Sequence, residues 1–325
     1  MSRTAPVGVH IARTAYWAPP TVETAAALAP RIGRSAEWIL ARTGILERRI
    51  STEPMDAMAA RVVREVCPDG PPDVLINASL TPIQLIPDSS IFILRELGWT
   101  GVPSFSVHST CLSFLVGLQQ AAGLIGTGQA RRVVVVSSEQ GSVSRDPSHP
   151  ESAALIGDGA AAAFVTATPA GSPSALLGLR TATFPEFADL AELRGCGTSA
   201  HPNEPTTTPS HNLFQMRGPR IYKAAVPRVA ELVGGLLRDL DMTPDDIDWL
   251  VPHQASGPGV AAMTKLGVDA SRIVDIVARH GNMIAASLPT ALARHAASGK
   301  LQRGQRILLV GTGAGLVVGA AVLVW

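Results

Sequence analysis

The chain has 325 residues, of which 46% are hydrophobic and 16% charged, with a formal net charge of +1. That balance excludes a disordered chain, which needs low hydrophobicity or high net charge, and argues against a nucleic-acid binder with a broad basic footprint. The mean hydropathy is positive at +0.23, yet the best apolar stretch, residues 315–325, is shorter than the ~20 residues that cross a bilayer.

The first residues lack the charged-then-apolar layout of a signal peptide, so a cytoplasmic protein is expected. Three cysteines, Cys67, Cys111 and Cys196, are too few for a disulfide framework and lack zinc-site spacing. Cys67 and Cys196 read as tolerated thiols. No metal site is expected.

In chain order, short β-rich apolar runs fall at residues 74–77, 104–107, 132–137, 161–165, 249–251, 307–310 and 317–324. Helical stretches fall at 89–97, 112–125, 222–240 and 284–297. Near-continuous apolar strands separated by helices imply a sheet covered on both faces, hence an α/β fold. The loop over 186–210, rich in Pro, Thr, Gly and Asn, is long enough for a cap or lid.

A weak internal repeat emerges when the halves are compared. Pro72-Asp73-Val74-Leu75 is echoed by Ile247-Asp248-Trp249-Leu250, and Glu96-Leu97-Gly98 by Lys265-Leu266-Gly267. Arg131-Arg132-Val133-Val134 is echoed by Gln305-Arg306-Ile307-Leu308. The chain therefore reads as two copies of one βαβαββ-like unit, over residues 1–170 and 171–325. Equivalent turns of the halves should meet near the pseudo-twofold axis. Cys111 and Asn282 occupy such turns, and His253 follows the first strand of the second half.

Cys111 sits where a strand gives way to a helix. The dipole and free N–H groups there favour thiolate and hence a nucleophile; a buried structural cysteine is the alternative. His253 lies at the carboxyl edge of a predicted strand, where α/β proteins bind ligands, or is a satisfied buried histidine. Asn282 precedes a helix, where an N-cap role is the default. His108, two residues inside the nucleophile turn, can support it from behind. Gly311-Thr312-Gly313-Ala314-Gly315 lacks the third glycine of a dinucleotide fingerprint, but such a turn can aim backbone N–H groups at an oxyanion.

Taken together, these segments resemble the thiolase-fold condensing enzymes, and within them β-ketoacyl-acyl-carrier-protein synthase III. Residues 37–49 (EWILARTGILERR) are similar to the early E-W-I-x-x-R-T-G-I-x-x-R-R signature. Gly157-Asp158-Gly159-Ala160, Val251-Pro252-His253-Gln254-Ala255 and His280-Gly281-Asn282 follow in the family's order. The resemblance implies thiolase-like duplicated βαβαβαββ halves in an αβαβα layered sandwich. It implies a Cys111–His253–Asn282 triad and an oxyanion hole from the backbone N–H groups of Cys111 and Ala314. It also implies a homodimer with a tunnel for the pantetheine arm of coenzyme A or an acyl carrier protein. Trp38 would stack on adenine, Arg42 would meet phosphate and Ser256 would stand at the pantetheine. Metal and redox cofactors are not needed. The implied reaction is acyl loading onto Cys111 followed by decarboxylative Claisen condensation with a malonyl thioester.

The sequence departs from the family at Leu112 and Ser113, beside the nucleophile, and at Ser256 and Pro258. The closing motif Gly315-Leu316-Val317-Val318-Gly319 also differs from the family's usual one. These departures point to a specialised lipid, polyketide or secondary-metabolite pathway. The alternatives are acyl transfer from Cys111 to an alcohol, amine or carrier thiol, non-decarboxylative acyl–acyl condensation, and an inactive partner subunit.

Overall fold

The computed structural model describes residues 6–195 and 197–325, so Cys196 lies outside the described residues. Nine strands form two sheets. The first contains β1 (Val9–Trp17), β2 (Val74–Asn77), β3 (Ser104–Ser106), β4 (Arg132–Gln140) and β5 (Asp158–Ala167). Its spatial order is β1-β5-β4-β2-β3. The second contains β6 (Ala175–Thr183), β7 (Trp249–Pro252), β8 (Arg306–Gly313) and β9 (Val317–Val324), in the order β6-β9-β8-β7.

The two orders superimpose. β4 pairs parallel with β2 and antiparallel with β5, as β8 pairs parallel with β7 and antiparallel with β9. Where the first sheet continues to β3, the second has a single parallel bridge, Leu250 to Ile273. Even the strand entries match. The Asp73 carboxylate accepts from Arg131 N and Arg132 N, and the Asp248 carboxylate from Arg306 N.

The helices of eight or more residues are α1 (Ala36–Thr43), α2 (Met55–Val66), α3 (Ser89–Leu97), α4 (Ser113–Gly126), α5 (Gly218–Asp239) and α6 (Ser287–Ala297). Side-chain alternation along the strands explains the layering. Val133 and Val135 of β4 face one core, with Phe114 and Leu118 of α4, Leu288 and Leu292 of α6, and Leu309 of β8. Val134 and Val136 face the opposite core, with Met58 and Val62 of α2 and Ile93 of α3. Leu308 and Val310 face a third core, against Val229 and Leu236 of α5. A strand's period of two thus sends alternate residues to opposite faces. The result is helices, sheet, helices, sheet, helix: the αβαβα sandwich. Among the described residues no helix is long and apolar enough to cross a membrane.

β1 and β6, the outer strands opposite β3 and β7, lie outside the predicted elements. β1 carries Arg13 and Thr14 and breaks register between Ile11 and Arg13, so its alternation is interrupted. α4 begins at Ser113 rather than at residue 112, because Thr110–Leu112 forms a separate 3-10 turn. The same happens before α6, where Ile284–Ala286 is the turn.

Candidate active site

The turn at Thr110–Leu112 is held in a tight elbow. Thr110 adopts φ 49, the left-handed region that a β-branched residue rarely enters. Ser113 Oγ accepts from Ser109 N (2.9 Å) and donates to Thr110 O (2.7 Å). The second half repeats the device: Ile284 has φ 50, and Ser287 Oγ accepts from Met283 N (2.8 Å). The two elbows pack against each other, and the first also packs on β8 and β9. The expected meeting of equivalent turns is therefore present, with one refinement. These bonds match Ser109 with Met283, so Cys111 corresponds to Ala285 and Asn282 to His108.

The Cys111 sulfur accepts from two backbone N–H groups, its own and that of Ala314. Sequence reasoning expected the helix N-terminus to favour thiolate. The structure corrects this: burial pushes the thiol up to about 12, the charge of Glu139 adds to it, and the two N–H groups offset only part. Cys111 is therefore held as a thiol rather than a thiolate at neutral pH.

His253 stands just beyond β7, with its N–H on Val310 O (2.8 Å). Gln254, fully buried, fixes this position. Its Nε2 donates to Pro252 O (2.9 Å) and Val274 O (3.0 Å), and its Oε1 accepts from Ile276 N (2.9 Å). Burial lowers the His253 pKa to about 4, so the imidazole is neutral and able to accept a proton. Its Nδ1 finds no partner among the described residues.

Asn282 caps its turn as the default reading anticipates: Oδ1 accepts from Ile284 N (2.8 Å). That bond has a chemical consequence. With the oxygen occupied, the Nδ2 end of the amide is left to donate.

A cavity of about 400 Å³ opens over these groups. His253, Asn282, Arg42, Ser256, Gly311 and Thr312 contribute to its wall. Cys111, Ala314 and Trp38 do not. Cys111 adjoins it through the apolar cluster it packs against, which includes the wall residue Leu155. Arg42 is engaged by Glu151, Nη2 to Oε1 3.0 Å. Ser256 Oγ accepts from Gly259 N (3.2 Å), leaving its hydroxyl hydrogen free to donate. Trp38 packs against a separate cluster containing Leu28 and Ile39, with the Arg34 guanidinium 5.3 Å from its ring centroid. Sequence reasoning did not single out Gln254, Ser287 or Glu139, and it noted Ser113 as a departure from the family rather than as a brace of the elbow. For Glu139 a signal existed: it is a lone acid at the end of the otherwise neutral run Val133–Ser138.

A family model described as 3-oxoacyl-[acyl-carrier-protein] synthase III matches residues 105–183, and its C-terminal counterpart matches residues 237–325. A β-ketoacyl-[acyl-carrier-protein] synthase III of Sphingopyxis alaskensis is 34% identical over 313 residues, covering 94% of this chain and 95% of the relative. Synthase III 3 of Streptomyces coelicolor is also 34% identical, covering 94% of each. The crystal structure of 3-oxoacyl-(acyl carrier protein) synthase III from Pseudomonas aeruginosa superimposes with a TM-score of 0.90 at 28% identity, over 98% of both chains. OleA of Xanthomonas campestris shares the fold, with a TM-score of 0.86 at 22% identity over 99% of this chain and 100% of its own.

The fold is that of the thiolase-like condensing enzymes. Within that class, the chain belongs to the β-ketoacyl-[acyl-carrier-protein] synthase III family, acyl-transferring enzymes that form carbon–carbon bonds by condensation.

Proposed function

We propose that Cys111, His253 and Asn282 carry out a two-stage condensation. The observation behind this reading is the packing of the Cys111 elbow against the elbow that follows Asn282, beside a cavity walled by His253 and Asn282. Cys111 attacks an acyl thioester while neutral His253 takes the thiol proton. The N–H groups of Cys111 and Ala314 hold the oxyanion. The first thiol departs with that proton, leaving acyl-Cys111. A malonyl thioester then enters and loses CO₂. His253 and the Nδ2 of Asn282 donate to the resulting enolate oxygen. The enolate carbon attacks the acyl carbonyl, the C–S bond to Cys111 breaks, and the thiolate takes up one proton from solvent, the proton consumed overall when the malonyl carboxylate leaves as CO₂. A β-ketoacyl thioester leaves.

Coenzyme A thioesters or acyl carrier proteins supply the acyl group, with Arg42 and Ser256 on the pantetheine and phosphate path and Trp38 toward the adenine. Leu112 and Ser113 beside the nucleophile favour an acyl chain and pathway outside housekeeping fatty-acid initiation. The working unit is a homodimer, in the cytosol with its substrates. The edge strand β3, with Phe105 exposed, and the neighbouring exposed Leu85 and Ile86 suit a second copy of the chain. The two units are residues 1–170, bearing the nucleophile, and 171–325, bearing His253 and Asn282.

Intact-protein mass spectrometry with a panel of acyl-coenzyme A and acyl-carrier thioesters tests the reading. Wild type should gain one acyl mass that Cys111→Ala does not. A malonyl thioester should clear that mass with CO₂ release. An acyl mass that persists in Cys111→Ala would defeat the assignment.

A further inference from the structure

Glu139 is a carboxylate whose charge acts on Cys111 and which the proposed steps leave unused. It is the penultimate residue of β4 and is fully buried. Oε1 accepts from Leu80 N (2.6 Å), while Oε2 accepts from Thr81 N (3.0 Å) and Thr81 Oγ1 (2.8 Å). A further bond comes from the N–H of Ala285, in the second elbow. Leu80, Ala285 and Cys111 all pack in one apolar cluster. Every group pointing at the side chain is a donor, so only an all-acceptor group satisfies them; a glutamine would turn an NH₂ toward N–H groups.

We propose that Glu139 is a positioning residue for Cys111, tying the Leu80–Thr81 segment to the 284–286 elbow and setting the ionisation of the thiol between them. This rests on Cys111 being the nucleophile. The charge on Glu139 opposes a second negative charge on Cys111. Burial raises the carboxyl to about 7, with its hydrogen bonds acting the other way, so it ionises well before the thiol. Among the described residues Glu139 is the charged group acting on Cys111. His253 is neutral, and Ile45, Leu155, Ile156 and Ile284 around the thiol carry no charge. The consequence is a nucleophile held as a thiol at rest. Its ionisation is then confined to the moment when substrate and His253 are in place. Acylation relieves the repulsion, because the thioester is neutral.

The test is the pH profile of Cys111 alkylation by iodoacetamide, read by mass, beside the rate of acyl loading. This reports on the thiol whether or not any thioester loads it, so failure here is distinguishable from failure of the catalytic reading. In Glu139→Gln the alkylation profile should move to lower pH, with a rate at pH 9 about three- to tenfold above wild type. Acyl loading should fall about tenfold or more, because the two segments lose their common acceptor. Glu139→Asp keeps the charge and serves if the glutamine variant does not fold: its alkylation profile should stay at the wild-type position while loading falls. An unmoved or upward-shifted profile in Glu139→Gln overturns the proposal, as does a downward shift in Glu139→Asp equal to that of the glutamine.

Discussion

Gly311 offers a sharp test of how closely the site is built. A Cβ at this position would lie 2.8 Å from His253 Cβ and 3.0 Å from Leu112 Cδ2. The two contacts differ in kind. Leu112 ends in a flexible side chain and can rotate. His253 Cβ is next to backbone anchored on Val310 O and braced by Gln254. The deficit against ordinary contact is about 0.6 Å, and the repulsive wall is steep. Gly311→Ala should therefore cost about 1–3 kcal/mol of stability. It should also displace the imidazole by roughly half an ångström, enough for about a 10- to 100-fold loss in condensation. Urea unfolding gives the first quantity and steady-state turnover with a malonyl thioester the second. Adding Leu112→Ala separates them. It removes one clash, so it should recover part of the stability, but it leaves the histidine displaced and turnover low. Turnover of Gly311→Ala within threefold of wild type, or its full rescue by Leu112→Ala, would refute the reasoning.

Two further outcomes are expected. His253 and His280 are buried with pKa values lowered to about 4, first by burial and for His280 also by Arg294 and Arg49. The unfolded chain binds their protons near 6.5, so the stability from these groups is complete above that pH and lost as pH falls through 4. The loss should be about 1–3 kcal/mol per histidine; urea midpoints at pH 7.0 and 4.5 measure it, and His280→Gln should flatten the profile. Glu151 occupies Arg42 at the cavity mouth, with exposures of 52% for the arginine and 33% for the glutamate, so a substrate phosphate must compete for the guanidinium. Glu151→Gln should lower the KM for an acyl-coenzyme A about three- to fivefold relative to the same acyl-pantetheine; an unchanged ratio would count against Arg42 as a phosphate contact.

Much of the layering was legible because buried strands are written as apolar runs. Val133–Val136, Ile307–Val310 and Val317–Val324 needed no context. β1 and β6 escaped because they are edge strands with exposed faces, where Arg13, Thr14, Arg180 and Thr181 dilute the pattern. α2 also lies outside the predicted elements, although its buried Met55, Met58, Val62 and Val66 recur at helical spacing. Motifs were legible as signatures but not as roles. Arg48 of the early signature is fully buried against Glu23, which also binds Arg145 at 2.6 Å. In Gly157-Asp158-Gly159, the carboxylate accepts from Ser51 N and Ser142 N, both at 2.8 Å. The first glycine lets its N–H reach Asn282 O (2.9 Å), with no room for a Cβ beside His280 O. Arg48, Gly157 and Asp158 lie outside the cavity wall, and only three-dimensional contact reveals what they hold together.

The duplication also places two unlike residues at equivalent positions of the two halves. Strand registers pair Asn77 with Val136 and Pro252 with Val310, so Glu139 of β4 corresponds to Gly313 of β8. Each position faces the elbow of the other half. A Cβ at Gly313 would collide with Thr110 Oγ1 and lie 3.1 Å from Ser109 O and 3.6 Å from Cys111 N. Across the pseudo-axis, the Glu139 carboxylate accepts the N–H of Ala285, the residue matching Cys111. One elbow therefore meets a glycine, which leaves the N–H of Cys111 to its own thiol sulfur. The other meets a carboxylate, which takes the N–H of Ala285. The pair Gly313 and Glu139 thus sets the two halves of the repeat apart at equivalent positions. The sequence repeat aligned the turns, but not this exchange, because a glycine and a glutamate share no chemistry until the sheets bring them to equivalent places.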